Sequence, residues 1–427
     1  MANGNIPRPA GDDAFERTNL RWNMSMLSLD YGLFGLGLSL IATTTILPAF
    51  AQRLGASNIV IGIIPAILTV GWGLPSILFA NYIERLERKL PLVLAVTVGE
   101  RVPYLFLALA AYFLAPTQPG LVLALTILLV AVAAVSGGVI MGAWLDIVAK
   151  TIPVRLRGRF FALGTVISGV TGVGGGVLAV YFLGSFPFPD SYALCFFVAF
   201  LAFAASFAFL SMTREPPVAA AKPAIPFGAY MRRLPEVLRR DRSFSAYLVA
   251  RALTIGGTMS NGFFTVYGLT RLAVDQEQVA IFTLVLQGAL VLSTVVCGQL
   301  ADQRGHKVVL TLGAVCSAGA SALALWAGDA QALYGVFVLM GFSLGAVNIS
   351  HMTIMLEFSP PSDRPTYIGL GGSTMAPISF VVPLVGGLLA DSVGFGAVFG
   401  TAAVFAVLSL LCLVFLVKDP RKAHGVD

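Results

Sequence analysis

Twelve apolar stretches, each long enough to cross a lipid bilayer as an α-helix, run along this chain of 427 residues. A bilayer core of roughly 30 Å needs about 20 consecutive apolar residues for one helical crossing. The stretches are continuous and rich in Leu, Ala, Val and Gly, whereas a membrane β-barrel would show short segments of alternating hydrophobicity. They span residues 25–50, 58–81, 91–114, 121–147, 160–184, 191–212, 243–269, 278–301, 307–327, 332–357, 366–390 and 396–417. We therefore predict an all-α membrane protein.

The composition and the placement of charge support this prediction and give an orientation. Hydrophobic residues make up 57% of the chain and charged residues 11%, with a mean hydropathy of +0.87, whereas soluble domains carry about 25% charged residues. Cytoplasmic loops of membrane proteins collect Lys and Arg. If both termini are cytoplasmic, all of the 27 basic residues lie inside except Arg53, Arg101, Arg251 and Arg271. The net charge of +6 therefore reflects topology in a bacterial plasma (inner) membrane, and we predict no nucleic-acid partner.

A short charged motif follows the eighth apolar stretch, and a weaker copy follows the second. The clear copy contains Gly298, Asp302, Arg304, Gly305 and Lys307. The weaker copy contains Glu84, Arg85 and Lys89. This pattern resembles the loop signature of the major facilitator superfamily, which lies after transmembrane helices 2 and 8. The resemblance implies twelve transmembrane helices in two six-helix, pseudo-symmetric bundles, and alternating access to a site between them.

The chain divides accordingly into two bundles joined by a basic linker. We predict a cytoplasmic segment over 1–24, bundles over 25–212 and 243–417, a linker with an amphipathic helix over 213–242, and a tail over 418–427. The halves repeat weakly, because Arg157 and Arg364 follow Pro153 and Pro360 at equal spacing in the loops after stretches 4 and 10.

Asp302 has two interpretations. A carboxylate at the cytoplasmic end of a helix is disfavoured by the helix dipole, so Asp302 needs a partner such as Arg304, Lys307 or the N-terminus of another helix. The resemblance implies that this helix is transmembrane helix 11, in which case Asp302 would gate the cytoplasmic side. The alternative is a solvated turn that only fixes topology, and the same two interpretations apply to Glu84.

Glu100 and Arg101 lie near the middle of the third stretch. An ionisable residue inside a bilayer costs about 2.5–3.5 kcal/mol on insertion scales. Adjacent residues point in different directions on a helix, so we expect each to meet a polar partner on another helix of the N-terminal half. Either they form a structural ion pair, or they take part in coupling or substrate recognition. The resemblance implies that helix 3 is peripheral to the cavity.

Six further polar residues within or at the ends of apolar stretches are candidate substrate or coupling residues. Arg251 either binds an anionic group or extends toward the cytoplasmic surface. His351 either exchanges protons in the physiological range or stays neutral and hydrogen-bonded to a neighbouring helix. Asp30 and Asp146 lie close to the cytoplasmic interface. Each either takes part in substrate binding or coupling, or is an acid solvated at that interface. The six are Asp30, Asp146, Arg251, Asn261, Asn348 and His351.

The sequence contains no nucleotide-binding loop of the Gly-x-x-x-x-Gly-Lys-Ser/Thr kind, no nucleophile–base pattern and no metal-ligand spacing. We predict no enzyme activity, no catalytic residue, no cofactor and no metal. The predicted function is secondary active transport of a small organic solute, coupled to protons or another ion, with export favoured over import. Alternatives are a flippase for lipids or lipid-linked molecules, and a non-transporting receptor or scaffold of the same fold. The expected partners are the solute, the coupling ion and the lipid bilayer, and the chain is predicted to be a monomer.

Overall fold

The computed structural model describes residues 10–84, 86–216, 241–358 and 364–418, and these residues form a bundle of α-helices. The N-terminal half contains α1 (Ala10–Leu40), α2 (Ile46–Arg53), α3 (Asn58–Glu84), α4 (Leu90–Arg101), α5 (Pro103–Phe113), α6 (Pro119–Thr151), α7 (Val154–Ser185) and α8 (Asp190–Ser211). The C-terminal half contains α9 (Arg242–Gly257), a 3-10 turn (Thr258–Ser260), α10 (Phe263–Arg271), α11 (Gln276–Arg304), α12 (His306–Trp326), α13 (Ala330–Phe358), α14 (Arg364–Ser392) and α15 (Phe395–Phe415). The predicted amphipathic helix of the linker lies outside the described residues.

Ten helices of the described chain are long and apolar enough to cross a membrane, if α4 and α5 are counted as one. The first and seventh of the twelve predicted stretches are not among these ten helices, because each is interrupted by a turn. A turn over 41–45 separates α1 from α2, and the 3-10 turn separates α9 from α10. Gly256, Gly257 and Gly262 flank the second break, where they weaken a continuous helix. The helix also breaks between α4 and α5, because Pro103 has no N–H to donate.

The two halves contact each other mainly along two pairs of long helices. α3 packs against α14, and α7 packs against α11. We call the end of the bundle at which α1 begins and α15 ends the near end, and the opposite end, where α2 lies, the far end. These helix pairs form the boundary between the halves.

The apolar core is shared between the halves toward the far end. One large cluster joins Phe50 and Tyr192 of the N-terminal half to Phe264 and Phe337 of the C-terminal half. Separate clusters form at the near end, one in the N-terminal half around Phe160 and another in the C-terminal half around Phe244, Tyr247 and Tyr367. The halves are therefore held together by apolar packing at the far end.

Hydrogen bonds reinforce the contact at the far end. The carboxylate of Asp391, near the end of α14, accepts from the backbone N–H groups of Asn58 at 3.1 Å and Ile59 at 3.1 Å, and from the Asn58 side chain at 2.8 Å. Asp391 thus caps the N-terminus of α3 from the opposite half. Other bonds across the boundary join Thr265 to the Thr44 carbonyl, Thr283 to Thr45 and Ser191 to Gln276.

Candidate functional site

A cavity of about 880 Å³ lies between the halves. Its wall is largely apolar and aromatic, with Tyr31, Phe34, Trp72, Tyr104 and Phe203 among its residues. Hydroxyl and amide side chains are interspersed, and include Thr43, Thr44, Thr69, Thr165, Ser168, Thr283, Gln287, Thr294 and Asn348. Among the described residues, Glu100 is the one carboxylate in this wall, and no Lys, Arg or His lines it. Such a composition suits an organic molecule with few polar groups.

Close helix packing places Glu100 in the wall. A Cβ atom on Gly138 of α6 would overlap the carbonyl oxygen of Gly71 in α3, and a Cβ atom on Gly99 of α4 would lie 2.5 Å from the Ser136 hydroxyl of α6. Small residues allow this approach of helices in membranes. Since Trp72 follows Gly71 and Glu100 follows Gly99, both side chains arrive beside the same turn of α6.

Gly137 provides the space that Glu100 and Trp72 occupy. A Cβ atom at Gly137 would lie 2.6 Å from Glu100 Oε1 and 3.0 Å from Trp72 Nε1. The other carboxylate oxygen of Glu100 accepts a hydrogen bond from Thr97 Oγ1 at 3.1 Å. One oxygen of Glu100 is therefore held by its own helix, and the other faces the space beside Gly137.

Arg101 lies behind the cavity wall, in a hydrogen-bond network that joins four helices. Its guanidinium binds Asp30 of α1 at 3.3 Å and Ser206 of α8 at 3.0 Å, and it also contacts Thr97 of its own helix. Asp30 accepts further bonds from Ser206 at 2.6 Å and from Trp144 of α6 at 3.2 Å. Arg101 and Asp30 are 5% and 4% exposed, so this network is buried.

The buried group holds two carboxylates and one guanidinium. Asp30 makes the closer contact with Arg101, whereas Glu100 Oε2 lies 4.0 Å from Arg101 Nη1. The group therefore contains one more carboxylate than cation, and the less tightly paired carboxylate, Glu100, lines the cavity.

These positions differ from the expectations in three respects. Arg101 meets other helices, but the hydrogen-bond partner of Glu100 is Thr97 in the same helix. Helix 3 was expected to be peripheral, yet Glu100 and Tyr104 line the cavity, because Gly99 lets α4 approach α6 closely. Asp30 was expected near an interface, but it is buried well inside α1, which begins at Ala10.

Arg251 and His351 connect helices of the C-terminal half. Arg251 Nη1 in α9 donates to the Gly371 carbonyl of α14 at 3.3 Å and lies 3.6 Å from the Met355 sulfur of α13. The Tyr247 hydroxyl donates to the His351 carbonyl at 3.1 Å and lies 3.2 Å from His351 Nδ1. Both candidates thus lie at contacts between α9, α13 and α14.

The two candidate asparagines lie in different places. Asn348, one turn before His351 on α13, lines the cavity. Asn261 follows the 3-10 turn at the break between α9 and α10 and is not in the cavity wall. Of the eight residues predicted for substrate or coupling, the structure brings Glu100 and Asn348 to the cavity.

Comparison with known proteins relates the chain to a family. The sequence profile of the Major Facilitator Superfamily matches residues 263–427, which contain the clear copy of the loop motif. The match covers less than half of the chain and supports a transporter of the major facilitator type. The described fold agrees, since the structure resembles the nucleoside transporter NupG with a TM-score of 0.70 and 14% identity, over 92% of this chain and all of that one. It also resembles a D-xylose–proton symporter with a TM-score of 0.65 and 14% identity, over 94% and 98% of the two chains.

Two curated relatives share local sequence similarity with this chain. The "Multi-drug resistance efflux pump PmrA homolog" of Lactococcus lactis is 29% identical over 123 residues, which are 29% of this chain and 30% of the relative. The "Tetracenomycin C resistance and export protein" of Streptomyces glaucescens is 30% identical over 133 residues, which are 31% of this chain and 25% of the relative. The alignments thus span less than a third of either relative.

The superfamily motif after α11 forms a sharp turn at the near end. Gly305 has φ of +88°, a conformation that favours glycine, and it separates α11 from α12. Asp302 and Arg304 are exposed on this turn, and Lys307 Nζ donates to the Val414 carbonyl of α15 at 3.3 Å. α11 packs across the boundary against α7, whereas α14 packs against α3. The pairing of Asp302 with transmembrane helix 11, which is α14, stays a prediction.

The remaining motif residues are distributed among the turns of the near end. A Cβ on Gly298 would meet open space. Arg157 donates to the carbonyls of Ile152 at 3.1 Å and Ala149 at 2.5 Å, and so closes the turn between α6 and α7. Arg85 and the side chains of Glu84 and Arg364 lie outside the part of the chain that is described.

A near-end ion network contains two predicted residues, Asp146 and Lys89, and two that the sequence did not reveal, Lys150 and Glu215. The amines of Lys89 and Lys150 both contact the Asp146 carboxylate. Glu215, which follows α8, accepts from the backbone N–H groups of Lys89 and Leu90, each at 2.8 Å, and from Lys150 Nζ at 3.1 Å. Glu215 thus caps α4, although its sequence context, before two prolines, indicated an extended linker.

Replacing Glu215 by Gln is expected to destabilise the protein. The Glu215 side chain is 2% exposed, and the change removes the charge from hydrogen bonds that are each worth about 1.5–3 kcal/mol. We expect a loss of about 2 kcal/mol, seen as a lower melting temperature in detergent. The matched variant Glu87→Gln changes an exposed acid in the preceding loop and should melt like the parent. Equal melting of both variants and the parent would contradict a capping role.

Proposed function

We propose that the chain is a secondary active transporter that moves a small, mainly apolar organic solute by alternating access through the central cavity. The observation that carries this proposal is the cavity itself, which lies between two halves joined at the far end by shared core and hydrogen bonds. A cavity bounded by both halves changes its access when the halves rotate against each other. The match of residues 263–427 to the Major Facilitator Superfamily supports the same function.

Coupling to a proton is proposed to take place at Glu100. Ionisable residues inside a membrane protein are costly and mark proton or ion pathways. Glu100 is the carboxylate of the described cavity wall, and its guanidinium neighbour is already paired with Asp30. Coupling to another ion, such as Na⁺, is the alternative that the transport measurement described below distinguishes. Arg101 and Asp30 are assigned the structural role.

The proposed direction is export, in a plasma membrane with both termini cytoplasmic. The bias of basic residues places the near end in the cytoplasm, so the conformation described here has its outer side closed. Both curated relatives carry names of efflux or export proteins, which supports export. We propose that the linker is also cytoplasmic and that the transporter is a monomer.

Reconstituted protein tests this function directly. Proteoliposomes with an imposed pH gradient should change the internal concentration of a fluorescent aromatic probe such as 1-hydroxypyrene, and a protonophore should abolish the change. A Na⁺ gradient without a pH gradient is the control for the other ion. If no gradient moves the probe, and a panel of aromatic solutes behaves likewise, the transport proposal fails.

Removing the cap at the far end should change the balance of conformations. Asp391→Ala deletes the acceptor for three hydrogen bonds between the halves, and loss of a helix cap costs about 1 kcal/mol. We expect about a fivefold shift toward conformations open at the far end. Spin labels at Thr117→Cys and Gly328→Cys, which are exposed in opposite halves at the far end, would report a longer distance by pulsed electron resonance.

Asp329 provides the matched control for this measurement. It is also an exposed acid at the far end, but it accepts from Ala332 N within its own half at 2.9 Å. Asp329→Ala should leave the distance distribution unchanged. A distribution in Asp391→Ala that equals that of the parent would contradict the role of the cap between the halves.

A further inference from the structure

The cavity wall contains a hydrogen-bond donor and an acceptor beside the same turn of α6. Glu100 Oε1 and Trp72 Nε1 lie 2.6 Å and 3.0 Å from the position that a Cβ of residue 137 would occupy. Both residues line the central cavity. Because residue 137 is glycine, both atoms can pack against α6 here and lie close to each other.

Neither of these two atoms has a hydrogen-bond partner within the described ranges. Thr97 Oγ1 donates to the other oxygen of Glu100. The Trp72 side chain is 46% exposed, and its Nε1 has no hydrogen-bond partner among the described residues. A polar atom in an apolar wall gains from a partner, since an unmade hydrogen bond costs more there than in water. The pair is therefore available to a bound molecule.

The chemistry of the pair selects the ligand group. The indole N–H only donates and an ionised carboxylate only accepts, so the group that satisfies both must accept and donate at once. A hydroxyl group does this, an ether satisfies only Trp72, and an ammonium group satisfies only Glu100. The aromatic rings of Tyr31, Phe34 and Tyr104 line the same cavity and suit stacking against an aromatic body.

We propose that Glu100 and Trp72 form the polar anchor of the solute site, and that the anchor binds a hydroxyl group carried by an aromatic solute. The proposal rests on the proposed transport function for the role of the cavity. It adds a substrate class, hydroxylated aromatic molecules, and it assigns Gly137 as a positioning residue, since the absence of a Cβ lets the donor and the acceptor approach each other.

Binding of three matched pyrenes to the full-length protein in lipid nanodiscs tests the proposal. The probes are 1-hydroxypyrene, 1-methoxypyrene and 1-pyrenemethylamine, and empty nanodiscs provide the correction for partitioning into lipid. The parent should bind 1-hydroxypyrene about tenfold more tightly than 1-methoxypyrene, the factor expected for one hydrogen bond in an apolar site. Trp72→Phe, which keeps the ring but removes the N–H, should weaken the binding of both compounds to a similar extent, because both carry an oxygen that accepts from the indole. Glu100→Gln, whose amide both donates and accepts, should bring the ratio close to one, as should Gly137→Ala, whose Cβ would displace both anchor atoms.

Trp326→Phe is the control, because Trp326 is 86% exposed at the far end of α12 and distant from the anchor. It should keep both the parent ratio and the parent affinities. Equal binding of the hydroxyl and methoxy compounds by the parent, tightest binding of the amine, an unchanged ratio in Glu100→Gln, unchanged affinities in Trp72→Phe, or no binding of any pyrene would each overturn the proposal. If Gly137→Ala does not fold, Glu100→Gln and Trp72→Phe decide.

The binding test of the anchor and the transport test of the proposed function can fail independently. Transport in proteoliposomes without a hydroxyl preference in binding would refute the anchor and keep the transporter. A tenfold hydroxyl preference that depends on Glu100, with no transport under any gradient, would support the anchor and refute the transporter.

Discussion

Replacing Arg101 by Gln is expected to lower the free energy of unfolding by roughly 3–5 kcal/mol, because removal of one partner leaves a buried charge without compensation. The Arg101 guanidinium contacts Asp30 and Ser206, and all three residues are buried between α1, α4 and α8. The expected result is low expression and a strongly lowered melting temperature in detergent. Transport should fall in proportion to the folded protein.

A double-mutant cycle separates the pair from other effects of the substitution. Asp30→Asn alone should also destabilise, whereas Asp30→Asn combined with Arg101→Gln removes both charges and should recover part of the loss. Arg159→Gln, an exposed arginine at the near end of α7, is the matched control and should change stability little. If Arg101→Gln melts like the parent and still abolishes transport, Arg101 belongs to the coupling site instead.

Replacing Glu100 by Gln is expected to abolish proton-driven transport while the protein stays folded. The carboxylate lines the cavity and accepts one hydrogen bond, from Thr97, so its loss should cost no more than about 1.5 kcal/mol of stability. A glutamine cannot release or take up a proton. Transport driven by a pH gradient should disappear, and exchange of labelled for unlabelled solute without a gradient should persist.

Two results would contradict this assignment of Glu100. One is pH-driven transport by Glu100→Gln at the rate of the parent, and the other is a loss of stability as large as that expected for Arg101→Gln. Glu87→Gln is the control for the substitution, because Glu87 is exposed outside the membrane-spanning helices. It should leave transport unchanged.

The sequence predicts the helices well because a continuous apolar stretch is a local signal. The breaks at 41–45 and 258–260 were missed because glycine and threonine in an apolar stretch do not by themselves stop a helix. The extension of α1 back to Ala10 is not predicted, because the residues before Met24 are polar and lie outside the apolar stretch that marks a membrane helix.

The site was harder to predict than the fold, since it depends on contacts between residues distant in sequence. Glu100 and Arg101 are visible as charges in an apolar stretch, but Asp30 and Ser206 meet Arg101 only through packing of α1 and α8 on α4. Gly137 gives no chemical signal at all, because its contribution is the absence of a side chain. Glu215 was missed because its partners, the start of α4 and Lys150, are not neighbours in sequence.

The apolar core shared at the far end has a thermal consequence. Separation of the halves there would expose parts of the cluster around Phe50 and Phe264 to water in the opened mouth. Apolar hydration carries a large heat capacity, and hydrophobic association weakens on cooling. For the proposed alternation between two access states, we therefore expect a temperature-dependent equilibrium in which cold favours the state with the far end open.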